Sequence, residues 1–462
     1  MFVAIDRNSG IPVKKQLYDA ITFKILQGEL SDGDMLPSSR QLANQLDIAR
    51  NTVIEIYEQL VAEGYTQTKN GKGTFVCRVA ANQPDNMKIK RKEKRLPAVK
   101  SGKIIFAGGI PDLGAFPRRA WMQAMKQSFD FVQDNELGYT NVSGYQPLRE
   151  SLAHYLFKYK GIDCSDRQIV IVNGTSDAAA LLALMFQKNI GQVLIEAATV
   201  SFVPDIFRTY GYELRPVEVD ESGICTGQLP EADNCLIFVS PSHQFPLGGT
   251  LPVGRRNQLA EYAKEHRHYI IEDDYDSEFR YTGAPVNSLY QLAPERVIHV
   301  GTFSKTLAPF LRLAYMVLPK QLMAQTRRLL KKLNHSVNTM EQATLDHLLK
   351  QGVYVKHVHL MCKLYKKKMQ CIIRVLKEQF GGNIRINGVN CGLHIAVIFP
   401  NRIFNRENTA VFSQYGLGIE LLTDYMLKKD NACNTLILGF GDLTEKEITE
   451  GICRLKAAMD TI

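Results

Sequence analysis

Between Ile169 and Leu318, six short apolar runs alternate with stretches of helical spacing. They are Ile169–Val172, Val193–Glu196, Cys235–Ser240, Tyr269–Asp273, Val297–Gly301 and Ala314–Pro319. Each is too short for a stable helix and lacks the apolar–polar alternation of a half-exposed strand, so each predicts a strand buried on both faces. Strands of that kind belong to a mainly parallel sheet with helices packed on both sides. The rhythm therefore implies an open α/β sheet, and such sheets bind ligands at the carboxyl ends of their strands.

Chemistry-bearing residues fall at those ends. The run Tyr269–Asp273 continues into Asp274, Tyr275 and Asp276. A pyridine nitrogen stays protonated, and its ring acts as an electron sink, only beside an acid. Asp273 is the candidate acid and Tyr275 a candidate donor to a phenolic oxygen, while Asp274 and Asp276 are expected to be solvated or structural. Lys305 lies between small hydroxyl residues in the stretch His299–Pro319. An amine that must condense with a carbonyl needs a short, fixed turn, and Thr302, Ser304 and Arg312 suit a phosphate beside it. Upstream, Ile169–Val172 is followed by Gly174-Thr175-Ser176 and an Ala/Leu-rich helical pattern. Amides of Thr175 and Ser176 at that helix start make a second anion site. Alone, Lys305 would read as a surface lysine in a polar loop. With an acid and a phosphate cup in workable order, the three sites point to pyridoxal 5'-phosphate, and no metal is expected.

The N-terminal stretch has a different period. A helix is predicted over about residues 13–27, with Leu17, Ile21 and Ile25 on one face. Pro37-Ser38-Ser39 offers a start for a second, carrying Leu42, Ala43 and Leu46. A third runs from about Arg50 to Glu63 with Val53, Ile56, Tyr57, Leu60 and Val61 inward, leaving Arg50, Asn51 and Thr52 exposed at its beginning. Two short strands around an Asn70-Gly71 turn follow. Three helices and a hairpin make a winged helix-turn-helix, whose third helix meets base edges with its first turn.

Charge separates these regions. Residues 1–80 carry nine Lys/Arg and nine Asp/Glu, whereas residues 81–103 carry eight and two, and the whole chain is +9. The excess sits in a polar stretch poor in large apolar groups, which reads as a basic flexible linker adding salt-sensitive phosphate attraction near DNA. A head of balanced charge makes few phosphate contacts, so useful affinity calls for two heads. The nine cysteines contain no Cys-x-x-Cys pair, which argues against a zinc ribbon or a disulfide framework. No apolar run reaches the roughly 20 residues that span a bilayer, and a cytoplasmic protein is expected.

The segments NGTSDA, SPSHQFPLG, EDDYDSEF and GTFSKTLAPFLRLAY, in that order, resemble a fold-type-I aminotransferase domain. LPSSRQLA, ARNTV, EGY and NGKGTFV are similar to the GntR-type winged helix. Together they resemble the MocR/GabR-type regulators, over nearly the whole chain. The resemblance implies a multidomain protein: a DNA-binding head over residues 1–80, a linker over 81–103, and an α/β domain of the pyridoxal-phosphate transferase type over 104–462. A small α/β subdomain is expected from about 380. It further implies DNA contacts from Arg40, Arg50, Asn51 and Thr52, a wing made of Lys69, Gly71, Lys72 and Gly73, and a homodimer in which Tyr139 reaches the partner's cofactor phosphate.

Two departures bear on catalysis. Where the family carries a stacking aromatic residue after Glu196, this chain has Val200. The positions expected to supply an arginine for a substrate carboxylate hold Ile437 and Leu438, and Phe202 stands where some members carry another. Losing a bidentate arginine costs about 2–5 kcal/mol of carboxylate binding. The expectation is a transcriptional regulator on double-stranded operator DNA that senses pyridoxal phosphate, alone or as an amine adduct, with vitamin B6 metabolism as the candidate circuit. An active aminotransferase with an accessory domain, and a regulator whose enzyme-like domain has lost its cofactor, are the alternatives. Arg208, Arg280 and Arg402 are the arginines that could substitute.

Overall fold

A computed structural model of the chain describes residues 5–6, 10–69, 71–77, 102–138, 141–283, 286–428 and 432–461. Its contacts divide the chain into two units, residues 1–98 and 99–462. Tyr139 and most of the basic stretch lie outside the described residues.

The first unit contains helices Val13–Leu26, Ser39–Leu46 and Arg50–Ala62. The second starts on a capping box, in which the Ser38 hydroxyl accepts the Gln41 amide and the Gln41 side chain accepts the Ser38 amide. Asp47 ends it in the left-handed conformation at φ 50°, which turns the chain into the third helix. Leu17, Ile21, Leu42, Val53, Ile56 and Leu60 are wholly buried at the centre. Val61, expected inward, is 38% exposed. It follows Leu60 by one residue, and the resulting turn of about 100° carries it off the face that Val53, Ile56 and Leu60 share. Strands Thr66–Lys69 and Gly73–Val76 pair antiparallel, with Lys69 opposite Gly73. The Lys72 amide closes the turn on the Lys69 carbonyl at 2.9 Å, and Gly71 takes the positive φ of 73° that the turn requires.

The second unit is built on a seven-stranded sheet in the order Ile169–Val172, Ala314–Val317, Val297–Thr302, Tyr269–Asp274, Leu236–Val239, Gln192–Glu196, Glu213–Val217. Six strands run one way and Ala314–Val317 runs against them. The reason is length: a parallel return needs a crossover of about a dozen residues or more, and only eleven, 303–313, separate Ala314 from Thr302. Ile169 and Ile171 join the core on one face, and Val170 and Val172 the core on the other, as expected for strands covered on both sides. A four-stranded antiparallel sheet, Arg385–Asn387, His394–Ile398, Thr435–Gly439 and Glu420–Leu421, packs with helices Val353–Phe380 and Glu445–Met459 as a smaller α/β layer. Among the described residues, no helix is long and apolar enough to cross a membrane.

Candidate cofactor site and DNA-binding face

Parallel register aligns the ends of two neighbouring strands, setting Asp273 opposite Val300 and Asp274 opposite Gly301. Asp273 is therefore fixed at a strand end beside the turn that carries Lys305. Its carboxylate is buried, and Oδ1 has no hydrogen-bond partner among the described residues. Burial, reinforced by the charge of Asp274, pushes its pKa up to about 7. An acid this deep without a donor is costly unless a cation or N–H is supplied to it. A protonated pyridine nitrogen is such a group.

Lys305 lies in a turn organised by Thr302, whose hydroxyl accepts the Ser304 amide at 3.1 Å and contacts the Ser304 hydroxyl at 3.1 Å. The Lys305 ammonium donates to the Gly109 carbonyl at 2.6 Å. A Cβ at Gly109, where φ is 78°, would sit 3.1 Å from that nitrogen, so glycine leaves the amine its room. Burial lowers the Lys305 pKa, although Asp276 and Asp273 oppose this. The amine is thereby biased toward the neutral form that can attack a carbonyl.

The candidate phosphate cup draws on two segments, the start of a helix and Arg312. Helix Thr175–Phe186 opens on Gly174 with no side-chain cap, leaving its first amides for a ligand. Arg312, held left-handed at φ 49°, donates to the Ser176 hydroxyl at 3.1 Å. A Cβ on Gly174, itself at φ 104°, would lie 2.9 Å from the Arg312 guanidinium. Gly174 thus permits the arginine to approach the helix start. Thr175, Ser176, Arg312, Lys305 and Asp273 together match what pyridoxal phosphate needs at its phosphate, aldehyde and ring nitrogen.

Other residues fall differently. Tyr275 is buried, and its hydroxyl donates to the His243 carbonyl at 2.9 Å and lies 3.1 Å from His243 Nδ1. Of the two readings open for Asp274 and Asp276, solvated or structural, the structure shows the structural one: both are buried and paired. Asp276 is 2.9 Å from His243 Nδ1, and Asp274 is 2.7 Å from the Lys160 ammonium. Burial works against the Asp274 charge, yet Lys160 and then His299 hold its pKa low. His243 belongs to a motif singled out above but given no role; Lys160 had no sequence signal. Glu196 is a further buried acid, pushed up to about 8 by burial despite hydrogen bonds from Gln244 and the Ser240 amide. It keeps a neutral acid near Asp273.

The positions where the family pattern places a substrate arginine hold other residues. Ile437 and Leu438 are wholly buried, Val200 is half-buried and Phe202 is 37% exposed. Arg208 pairs with Asp205 at 3.1 Å, and Arg402 donates to the Met459 carbonyl at 2.5 Å. Arg280 lines a different cavity, into whose wall none of the cofactor residues enters.

In the first unit Arg40, Arg50 and Asn51 are exposed and Thr52 half-exposed, at the starts of the second and third helices. Arg50 Nε donates to the Ser39 hydroxyl at 3.3 Å, which links those two helix starts. Lys69, Gly71, Lys72 and Gly73 are exposed at the hairpin, and the Lys69 ammonium lies 5.0 Å from the Phe75 ring centroid.

Comparison with known proteins agrees with both halves. Residues 101–428 match the family model described as aminotransferase class I and II, and residues 13–76 match that of bacterial regulatory proteins of the gntR family. The HTH-type transcriptional regulator YdeL of Bacillus subtilis is 35% identical over 98% of both chains. The HTH-type pyridoxine biosynthesis transcriptional regulator PdxR of Corynebacterium glutamicum is 29% identical over 96% of this chain and 95% of its own. Among solved structures, kynurenine aminotransferase of Pyrococcus horikoshii, in complex with PMP, superposes with a TM-score of 0.71 at 26% identity, covering 79% of this chain and 93% of that one. Fold and site define a DNA-binding winged helix joined to an aminotransferase-type domain of the pyridoxal-phosphate fold. The chain belongs to the MocR-type regulators, the gntR-family proteins whose second half is an aminotransferase class I and II domain.

Proposed function

We propose that this regulator binds operator DNA as a homodimer in the cytoplasm, and that pyridoxal phosphate, alone or as its adduct with a small amine, is the signal it reads. When bound, pyridoxal phosphate supplies an aldehyde for a covalent link and a ring that stores negative charge. Lys305 gives the amine for that link, Asp273 the acid beside the ring nitrogen, and Arg312, Ser176 and the amide of Thr175 the hold on the phosphate. Thr302 and Ser304 shape the lysine turn, and Tyr275 with His243 borders the ring. Tyr139 would complete the partner subunit's phosphate site.

One contrast carries this reading: the residues that suit the cofactor converge, while the positions expected to clamp a substrate carboxylate are Ile437, Leu438 and Phe202. Transamination of ordinary amino acids is disfavoured accordingly. The similarity to a regulator named for pyridoxine biosynthesis supports vitamin B6 supply as the controlled circuit. A ligand moves a two-state equilibrium from 1:99 to 99:1 only if it prefers one state by about 5.5 kcal/mol. A covalent link plus a phosphate cup provides that preference to the extent that they form in one state and not in the other.

The test is operator binding by cofactor-free protein, titrated first with pyridoxal phosphate and then with amino acids. Operator affinity should change with the cofactor alone. If it moves only with an α- or γ-amino acid, the carboxylate clamp lies elsewhere in the chain and the reading is wrong. Sedimentation at micromolar concentration should show a dimer, and a cofactor-loaded monomer would refute that part.

A further inference from the structure

A cavity of about 430 Å³ lies beside the strand Tyr269–Asp274. Successive side chains of a strand point to opposite faces, so Asp274, which lines this cavity, projects away from the side that Asp273 takes. Its floor is an ion triad: the Lys160 ammonium is 2.7 Å from both Asp274 and Glu278. That lysine is therefore fully engaged.

Arg280 is not. It lines the same cavity, and none of the described residues accepts a hydrogen bond from its guanidinium or pairs with it. Among the described residues its buried Nε has no partner, and the same holds for Asp274 Oδ1 and Glu278 Oε2 on the same lining, whose other oxygens Lys160 holds. A buried guanidinium donor left unmet is expensive. The charged lining residues are Lys158, Lys160 and Arg280 against Asp274 and Glu278, an excess of one positive charge. Tyr159 and Val358 add apolar surface to the lining, and Tyr155 adds a ring whose hydroxyl donates to Glu278 at 3.4 Å. A half-open space of this size, lined by aromatic rings and carrying an unmet guanidinium donor, has the character of a small-molecule site.

We propose that this cavity binds a small monocarboxylate with an apolar body, its carboxylate on Arg280 and its body against Tyr159 and Val358. Arginine offers a carboxylate two parallel hydrogen bonds, and one such anion matches the excess charge. The site is separate from the cofactor pocket and gives the regulator a second input beyond the reading above, on the residue that follows Asp273 in the chain.

The probe is 4-fluorobenzoate, followed by fluorine NMR on the full-length protein with any cofactor first fixed by borohydride. 4-Fluorobenzyl alcohol serves as the neutral control. The carboxylate should bind saturably and the alcohol much more weakly. Arg280→Met should weaken carboxylate binding roughly ten- to a hundredfold. His359→Glu, on an exposed lining residue where folding is not at stake, should weaken it severalfold by placing an anion at the site. Absence of saturable binding, equal binding of the alcohol, or an affinity unchanged in both variants would overturn the proposal.

Discussion

The two halves of this chain hold their functional side chains in opposite ways. In the winged helix, Arg40, Arg50 and Asn51 stand exposed on helix starts whose apolar faces close a small core. In the aminotransferase-type half, Asp273 and its neighbours are buried, and their properties come from what surrounds them. An exposed arginine works by reach and geometry, and little of its effect depends on its surroundings. A buried acid or amine works through a shifted proton equilibrium, so one substitution nearby can change it. Substitutions in the second half should therefore have the larger effects, and each prediction below tests that asymmetry.

The largest effect belongs to Lys305. Lys305→Ala should abolish the visible absorption of the bound cofactor and the borohydride-fixed adduct, while the winged helix keeps its basal hold on nonspecific DNA. A reduced adduct found by mass spectrometry on another lysine would break the assignment. Next comes the cup. Arg312→Ala should weaken cofactor binding by about 2–5 kcal/mol, because a charge-assisted contact to a phosphate is lost in a sheltered place. Gly174→Val should act on the same equilibrium from the other side, since its side chain would occupy the space that Arg312 uses. Equilibrium dialysis measures both, and an unchanged affinity in either variant would show that the phosphate sits elsewhere.

Much of this was legible in the sequence because it is local. A strand buried on both faces must be apolar throughout, so Ile169–Val172 or Val297–Gly301 shows itself without knowledge of its partners. Asp273 and Lys305 stood out because one lies at the end of a legible strand and the other in the turn that follows one. The rest depended on distance along the chain. Lys160 meets Asp274 across 114 residues and His243 meets Asp276 across 33, and no periodicity announces such pairs. The reading of Asp274 and Asp276 stayed open between solvated and structural for that reason: a carboxylate at a strand end normally meets water unless a remote cation is brought to it. Val61 was misplaced on a smaller scale, where an apolar residue next to the buried stripe resembles part of it. The missing arginine at Ile437 was legible only against a family pattern, since two buried apolar residues in a strand carry no mark of what they replaced.

The pH dependence of stability tests whether Asp273 is governed by its surroundings. Its pKa is raised from 3.8 in the unfolded chain to about 7 in the folded, cofactor-free protein. Between those values the folded state holds a proton that the unfolded state has released, so the contribution of Asp273 to stability falls as pH rises from about 4 to about 7 and is constant beyond. Asp273→Asn removes this term. Relative to the wild type, the apo variant should gain on the order of 2–4 kcal/mol between pH 4 and pH 8. Cofactor affinity should fall in the same variant, because the ring nitrogen loses its anion. Parallel stability curves for the two proteins across that range would mean that Asp273 is not held in the protonated form.

The smallest effects are expected at the exposed face. Arg50 sits at the first position of helix Arg50–Ala62, with its guanidinium linked to Ser39 at the start of the preceding helix. A guanidinium there can make two parallel bonds to a guanine or grip a phosphate, and the two roles differ in what their loss does. If Arg50 reads a base, Arg50→Ala should cost about 1–3 kcal/mol of operator affinity and leave nonspecific binding nearly intact. If it grips a phosphate, both affinities should fall together, and the slope of log affinity against log salt should drop by about one. Because Arg50 is exposed and outside the core, melting temperature should hardly move in either case. Arg40→Ala run beside it sharpens the comparison, since Arg40 begins on the preceding helix and is expected to share the same groove. Equal losses on operator and random DNA for both arginines would shift sequence reading to Asn51, Thr52 and the wing residues Lys69 and Lys72.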